Sequence, residues 1–395
     1  MSSTGNHSPP AYQIDLSLPP RERHRHIVVA FKRQLQALIP LYEEILSQTP
    51  APSLCAFLSK HLLRVVHSSE ETEEILGISE ASGVPRHLVV AYNTFLDLFA
   101  GCVSGGVEVG DAGASGKTTG VIHFRGLDWD MEALRDLLIC VEFVRKGEVV
   151  ARTITYAGYT GILTGVRKGL SMSLNYRARF NSPSSTFAHR RHQIALLLGL
   201  RPSVASYLRS LLLSPGPATA LSSLAESLPS FHTSPCYLTF CSSESVILFE
   251  KDLKQAIIRT DSRVGSHAAK GQDEELIVVT NHDVAMQSWS KERWDSALNS
   301  GSLRVSGMHD LVKDSVARKS TVLEMWRRAI DSTEGSAKTM EGQQASKPLR
   351  LEDVRAWLKQ PPVLDESTHF SCIMDPGMEG GGILWSCSYP GASVL

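Results

Sequence analysis

The chain has 395 residues, with 40 Lys and Arg against 41 Asp and Glu, for a net charge of -1. At 42% hydrophobic and 21% charged residues it has the composition of a folded globular protein, long enough for one large domain or two modest ones, which excludes wholesale disorder and fibrous repeats. The balanced charge supplies no field to hold a polyphosphate and argues against nucleic acid as a partner.

The opening residues to Ser8 are polar, with neither a basic stretch nor an apolar core of the kind that marks a secretory signal, so an intracellular location is expected over a secreted or lysosomal one. Asn6-His7-Ser8 then reads as a chance match to the glycosylation pattern. Tyr12 to Leu18 alternates apolar and polar residues as a strand does, and Pro19-Pro20 ends it. From Arg21 to Val66 apolar residues recur every three or four positions, predicting an amphipathic helix interrupted or kinked at Pro40. Ser69 to Glu73 places acidic residues in a first helical turn, Ser82 to Pro85 is a break, and helix resumes from Leu88 to Phe99.

At Gly101 the texture changes. Val107 to Lys117, rich in Gly, Ala, Ser and acidic residues, reads as a turn or flexible loop. Strand patterns then dominate: Thr119 to Phe124, Leu137 to Val144, Glu148 to Tyr156, Gly169 to Asn175, Tyr237 to Glu250, Ala256 to Thr260 and Leu276 to Thr280. Helical patterns lie between them at His189 to Leu213, Ala218 to Leu228, Arg318 to Ile330 and Leu351 to Leu358, with a polar linker from Asp331 to Lys347. This order argues for an α+β fold with layered sheets. The longest apolar runs, such as Ile194 to Leu200, fall short of the ~20 residues that span a bilayer. The seven cysteines form an odd set without a CxxC pair, which suits neither a disulfide framework nor a zinc site and leaves most of them as small buried hydrophobes.

Four places invite a chemical reading, and each has a bland alternative. Cys102 follows Gly101 at the junction between the helical and strand-rich parts; alone, it reads as a buried thiol. Arg125-Gly-Leu-Asp128 ends a predicted strand; alone, it is an exposed turn ion pair. The glycines of Ala157-Gly-Tyr-Thr-Gly-Ile-Leu-Thr-Gly165, which leads to Ser173-Leu-Asn175-Tyr-Arg177, suggest close backbone approach or hairpin turns. Thr280-Asn281-His-Asp283 ends a short apolar run, where capping is the ordinary role.

Taken in order, Gly-Cys-Val-Ser, Arg-Gly-Leu-Asp, the Gly-Tyr-Thr-Gly-Ile-Leu-Thr-Gly run, Ser-Leu-Asn-Tyr-Arg and Thr-Asn-His-Asp resemble the acid ceramidase and N-acylethanolamine-hydrolysing acid amidase family over roughly Pro9 to Asp375. The resemblance implies an N-terminal nucleophile hydrolase fold, a four-layer α-β-β-α sandwich with a helical N-terminal subunit. It implies that the chain cuts itself between Gly101 and Cys102, giving residues 1–101 as an α-subunit bound to a catalytic β-subunit of residues 102–395. The freed α-amine, titrating near ~8, would then serve Cys102 as its own base. Asp128 would hydrogen-bond that amine, and Arg125 would orient the pair and lower the thiol pKa. Asn281 would be the oxyanion donor, Asn175 a supporting polar group, and Arg318 a further arginine at the site. The expected reaction is hydrolysis of a ceramide-type N-acylated lipid to a fatty acid and an amine through a Cys102 thioester, with no metal or organic cofactor.

The candidate wall of an apolar slot for the acyl tail is Ile194 to Leu213 together with the N-terminal amphipathic helix, with ordinary core as the bland alternative. Docking of those helices on a membrane surface fits a lipid amidase, although no basic cluster marks them. The sequence departs from the family at Val103, where threonine is usual, at Tyr176, where a glutamate is common, in the insertion-like loop Val107 to Lys117, and in lacking counterparts for the family's flanking cysteines. Tyr176 and the loop at Val107 keep open another linear-amide hydrolase or an acyltransferase of the same fold, and Val103 and Tyr176 keep open a silent, uncut binding protein.

Overall fold

The computed structural model describes residues 8–47, 51–95, 101–110, 118–178, 183–261, 276–299, 308–334 and 349–390. The chain opens with strand β1 (Ala11–Asp15), shorter than expected because Asp15 Oδ1 accepts the Ser17 amide at 2.9 Å and turns the backbone. The single helix expected from Arg21 to Val66 is instead five short ones: α1 (Pro20–Arg23), α2 (Arg25–Ala30), α3 (Lys32–Gln36), α4 (Leu38–Ser47) and α5 (Pro52–Leu62). Pro40 does not kink a helix. It sits in the first turn of α4, where its missing N–H is not needed. Helix α6 (Ser69–Ser82) starts on Ser68, whose Oγ accepts from Glu71 N at 3.2 Å, and ends on Gly83 in the left-handed region at φ 76°. Gly77 lets α1 close onto it, since a Cβ there would lie 1.9 Å from the Arg21 carbonyl oxygen. Helix α7 (Arg86–Phe95) runs toward the junction; the rest of its expected span, to Phe99, lies outside the described residues.

Strands β2 (Gly101–Gly110) and β3 (Thr118–Asp128) form an antiparallel pair, so Val107 to Gly110 is strand and not loop; residues 111–117 lie outside the described set. Next come β4 (Leu138–Arg145), β5 (Glu148–Tyr156), β6 (Thr164–Arg167) and β7 (Leu170–Tyr176). The expected helix from His189 to Leu213 is two, α8 (Pro183–Leu197) and α9 (Val204–Leu212), separated where Gly199 adopts φ 67°. Helix α10 (Leu221–Ser227) precedes β8 (Thr233–Cys241) and β9 (Val246–Leu253), a hairpin turning at Ser242 to Ser245 inside what reads as one apolar run. The chain continues with β10 (Gln255–Thr260), β11 (Ile277–Val279), α11 (Lys291–Asn299), α12 (Met308–Glu334), α13 (Leu351–Lys359), β12 (Thr368–Asp375) and β13 (Gly382–Ser388). Helix α12 continues through Asp331 to Glu334, the start of the expected linker.

The strands make two sheets, β1-β4-β5-β6-β7-β8-β9-β10 and β11-β2-β3-β12-β13, antiparallel except for β1 beside β4. Four layers result. The N-terminal helices and α9 cover the eight-stranded sheet through a core that includes Ile27, Ile75, Ile78 and Leu208. Helices α12 and α13 cover the five-stranded sheet through Val322, Val354, Trp357 and Leu358. Period-two alternation decides what faces what. On β2 and β3, Val103 and Phe124 join the α12 and α13 core, whereas Cys102, Ser104, His123 and Arg125 turn toward the eight-stranded sheet. Polar residues thus occupy the space between the sheets, and the site lies there. Among the described residues no helix is long and apolar enough to cross a membrane.

Candidate active site

Cys102 is the second residue of β2 and is fully buried. Its side chain and its backbone nitrogen each have a polar partner. Arg125 Nη2 donates to Cys102 Sγ at 2.9 Å and to the Leu174 carbonyl at 2.7 Å, while Nη1 donates to Asn175 Oδ1. Asn175 Oδ1 also accepts from Ser104 Oγ at 2.8 Å, which fixes the carboxamide between the sheets. On the other side, the Cys102 amide donates to Asn281 Oδ1 at 2.6 Å, and Asn281 Nδ2 donates to the Tyr176 carbonyl at 2.9 Å.

Asp128 pairs across the ladder with Gly101, and its carboxylate lies close enough that a Cβ on Gly101 would sit 3.5 Å from Oδ2. Arg318, from α12, donates to that carboxylate, and Thr368 Oγ1 donates to Oδ1 at 2.7 Å. Arg318 Nη2 lies 3.3 Å from Asp365 Oδ2 as well. All six residues singled out from the sequence, Cys102, Arg125, Asp128, Asn175, Asn281 and Arg318, therefore meet around the Gly101–Cys102 bond, drawn from β2, β3, β7, the loop after β11, and α12.

Several expectations need correction. Arg125 and Asp128 are neither exposed nor paired with each other: both are buried, Arg125 on the thiol and Asp128 on Arg318. Burial pushes the Cys102 thiol above its usual range; Arg125 pulls it down, Asp128 opposes, and the net direction is up rather than the lowering expected. Burial likewise pushes the Asp128 carboxyl up, against the pull of Arg318. The Cys102 nitrogen, which has an amide hydrogen here, donates it to Asn281. The glycine run is shaped by close approach as well as by the turn at Gly158, φ 80°: a Cβ on Gly161 would lie 2.8 Å from Ala205 Cβ, so α9 packs directly on this loop. Asp283 does cap, accepting from Ala285 N at 3.0 Å.

Sequence reasoning missed Thr368 and His369. Their strand was not anticipated, and what places them is a bulge: Thr368 pairs with Asp128 and Phe370 with Leu127, leaving His369 between. His369 Nε2 lies 2.9 Å from the Trp129 carbonyl, so that nitrogen carries the proton and Nδ1 accepts from the Tyr156 hydroxyl at 2.9 Å. Burial holds the ring neutral, its pKa down at about 3.

Beside this site the N-terminal helices and α8 enclose an apolar cavity of about 830 Å³. Leu38, Leu58, Leu88 and Leu197 are among its walls, as is Trp129, the residue after Asp128. Of the stretch expected to line an acyl slot, Ile194 and Leu197 of α8 and Leu198 just after it line this cavity, whereas Leu208 and Leu212 of α9 belong to the core over the sheet. The described residues hold no group of three or more His, Cys, Asp or Glu side chains arranged to hold a metal ion.

Comparison with known proteins agrees with the resemblance. A family model described as the beta subunit of N-acylethanolamine-hydrolyzing acid amidase matches residues 7–67. The chain is 34% identical to the N-acylethanolamine-hydrolyzing acid amidase of Caenorhabditis elegans over 188 residues, 44% of this chain and 50% of that protein. It is 27% identical to the acid ceramidase of Rattus norvegicus over 190 residues, 44% of this chain and 46% of that protein. A solved structure of the Caenorhabditis elegans N-acylethanolamine-hydrolyzing acid amidase ortholog superposes with a TM-score of 0.49 at 21% identity, covering 73% of this chain and 100% of that one. The chain is similar to N-acylethanolamine-hydrolyzing acid amidase and acid ceramidase sequences, and it spans about half the length of these two curated relatives.

Proposed function

We propose that the protein is an amidase that cuts itself between Gly101 and Cys102 and then hydrolyses the amide bond of an N-acylated lipid. The observation that carries this reading is that Arg125 sits 2.9 Å from the Cys102 sulfur while Asn281 sits 2.6 Å from the Cys102 nitrogen. The two atoms that would become nucleophile and base are each held by a dedicated side chain. In the first step Sγ bonds to the Gly101 carbonyl carbon, the Gly101–Cys102 C–N bond breaks, and the thiol proton passes to the nitrogen, which becomes the α-amine. Water then cleaves the thioester, leaving the Gly101 carboxylate and a free thiol. The same sequence on a substrate amide releases the amine, forms an acyl thioester and ends in a fatty acid.

The cavity supports a long acyl tail, because each methylene buried there contributes roughly 0.8 kcal/mol. Leu58 and Ile194 line it and are also exposed, and Leu54, Phe57 and Leu62 expose further apolar surface on α5, which supports entry of the lipid from a membrane surface at that face. Mass spectrometry tests the reading. The wild-type chain is expected to resolve into residues 1–101 and 102–395, and Cys102→Ala to remain one chain inactive on ceramides, N-acylethanolamines and bile-salt amides. A wild-type chain that stays whole and acts on none of the three would favour a silent binding protein. Leu38→Trp, which fills cavity space away from the thiol, is expected to leave self-cutting intact while raising KM for long acyl chains more than for short ones; equal effects on both would remove the cavity from the acyl path.

A further inference from the structure

The loop carrying Asn281 is anchored at one atom. Ser315 Oγ, on α12, accepts the Asn281 amide at 2.7 Å and the His282 amide at 3.0 Å. Two accepted bonds use both of its lone pairs, so the hydroxyl proton must be donated, and the acceptor within reach is His282 Nδ1 at 2.8 Å. This fixes the tautomer: Nδ1 is bare and Nε2 carries the hydrogen. Burial, with Lys319 nearby, keeps the ring neutral, its pKa down at about 4.

Other polar groups tie the loop down as well, although His282 Nε2 is buried without a hydrogen-bond partner and Thr280 Oγ1 also lies 3.2 Å from Nδ1. Thr280 Oγ1 donates to the Ser315 carbonyl at 2.9 Å, Tyr237 donates to the His282 carbonyl at 2.8 Å, and Ala178 N donates to the Asn281 carbonyl at 2.7 Å. Ser315 lies three residues before Arg318, so both project from one face of α12. That face therefore reaches the loop that holds the Cys102 nitrogen and the carboxylate beside Gly101.

Resting on the amidase reading above, we infer that Ser315 and His282 are positioning residues: together they lock the Asn281 carboxamide onto the Cys102 nitrogen. Without the hydroxyl, two buried amides lose their acceptor and the loop moves to find others, taking Oδ1 off the nitrogen. Without an acceptor at the Nδ1 position, the hydroxyl turns its proton elsewhere and loses a lone pair to one of the amides.

The discriminating variants differ in where they place an acceptor. His282→Asn puts a carbonyl oxygen near the Nδ1 position; His282→Gln puts one near Nε2. The lock predicts that H282N and Ser315→Thr cut themselves at close to the wild-type rate. H282Q and Ser315→Ala should be slower by roughly 10- to 100-fold, the scale expected of an ångström-level displacement. In protein that has been cut, the loss should fall on kcat for a long-chain N-acylethanolamine, with KM unchanged. Hydrogen exchange in the Cys102→Ala background, which stays uncut and keeps the amide at position 102, provides a readout that needs no activity: adding S315A or H282Q should remove protection at that amide, and adding S315T or H282N should retain it. Equal behaviour of H282N and H282Q, or full protection in S315A, overturns the lock. A wild-type chain that neither cuts itself nor hydrolyses amides overturns the amidase reading instead, and the exchange data still decide whether the lock exists.

Discussion

Arg125→Met is expected to abolish self-cutting on the hours timescale and to lower amide turnover by at least roughly 100-fold, since each unit by which the thiol pKa rises removes tenfold of thiolate. Burial already pushes the Cys102 thiol up, and Arg125 is the first of the groups that pull it back. Removing the guanidinium leaves burial less opposed, so the rising limb of the pH–rate profile should move to higher pH. The same guanidinium also ties Sγ to the Leu174 carbonyl and Asn175 Oδ1, and losing it leaves both acceptors short of a donor, costing roughly 1–3 kcal/mol. Arg125→Lys separates charge from geometry. An ammonium supplies a cation but cannot span the thiol, a carbonyl and a carboxamide with one planar fork, so it should recover part of the pH shift and little of the rate. Rates of fragment formation across pH 5 to 9, read by mass, are the measurement; wild-type cutting by R125M would remove Arg125 from the mechanism.

The site was legible in the sequence to the extent that its chemistry sits on short local motifs. Gly101-Cys102, Arg125 to Asp128 and Thr280 to Asp283 carry residue types whose order along the chain resembles that of a family, and the fold brings them together from β2, β3 and the loop after β11. What was not legible depends on contacts remote in sequence. Thr368 reaches Asp128 across 240 positions, and His369 is aimed by a bulge that no local pattern announces. Ser315 reads as one more polar residue of a helix, and its role appears only when the loop after β11 is laid on α12. The expected loop at Val107 to Lys117 failed at its start for a related reason. Gly105 and Gly106 look like turn residues but serve close packing: a Cβ on Gly105 would lie 2.1 Å from the Ile277 carbonyl oxygen and one on Gly106 2.7 Å from Cys241 Sγ. Likewise β12 is buried on both faces, so it lacks the alternation by which a half-exposed strand is recognised.

Glu74→Leu is expected to cost roughly 3–5 kcal/mol, the penalty for leaving a buried cation without its partner. Glu74 is fully buried on α6, where Oε1 accepts from Arg23 Nη1 at 3.0 Å and Arg209 Nη2 at 2.7 Å. Arg209 also donates to the Thr160 carbonyl at 2.6 Å, and Thr160 N donates to Asn93 Oδ1 at 2.7 Å. In the proposed cut form Arg23, Glu74 and Asn93 lie on residues 1–101, while Thr160 and Arg209 lie on residues 102–395, so this network is part of what keeps the pieces together. The E74L fragments should separate on size exclusion where wild-type fragments co-elute. Glu74→Leu with Arg209→Met should lose less than the two single changes added, because the double variant buries neither charge alone. The pH dependence has a definite sign. Burial pushes the Glu74 carboxyl up, but Arg209, His24 and Arg23 outweigh it and hold it at about 2 against an ordinary 4.5. A carboxylate depressed in the folded state stabilises above its unfolded pKa, here by about 3 kcal/mol, and that contribution is lost as pH falls from about 4.5 through about 2. Glu71, pushed up by burial against Arg209 and Ser206, acts with the opposite sign and at higher pH: its protonation as pH falls through its raised pKa relieves a buried charge before Glu74 begins to protonate. The wild type's resistance to urea should therefore not fall between pH 7 and 5 and should weaken below about 4.5, with a shallower decline in Glu74→Gln; parallel declines in the two proteins would show that Glu74 does not carry the acid sensitivity of this interface.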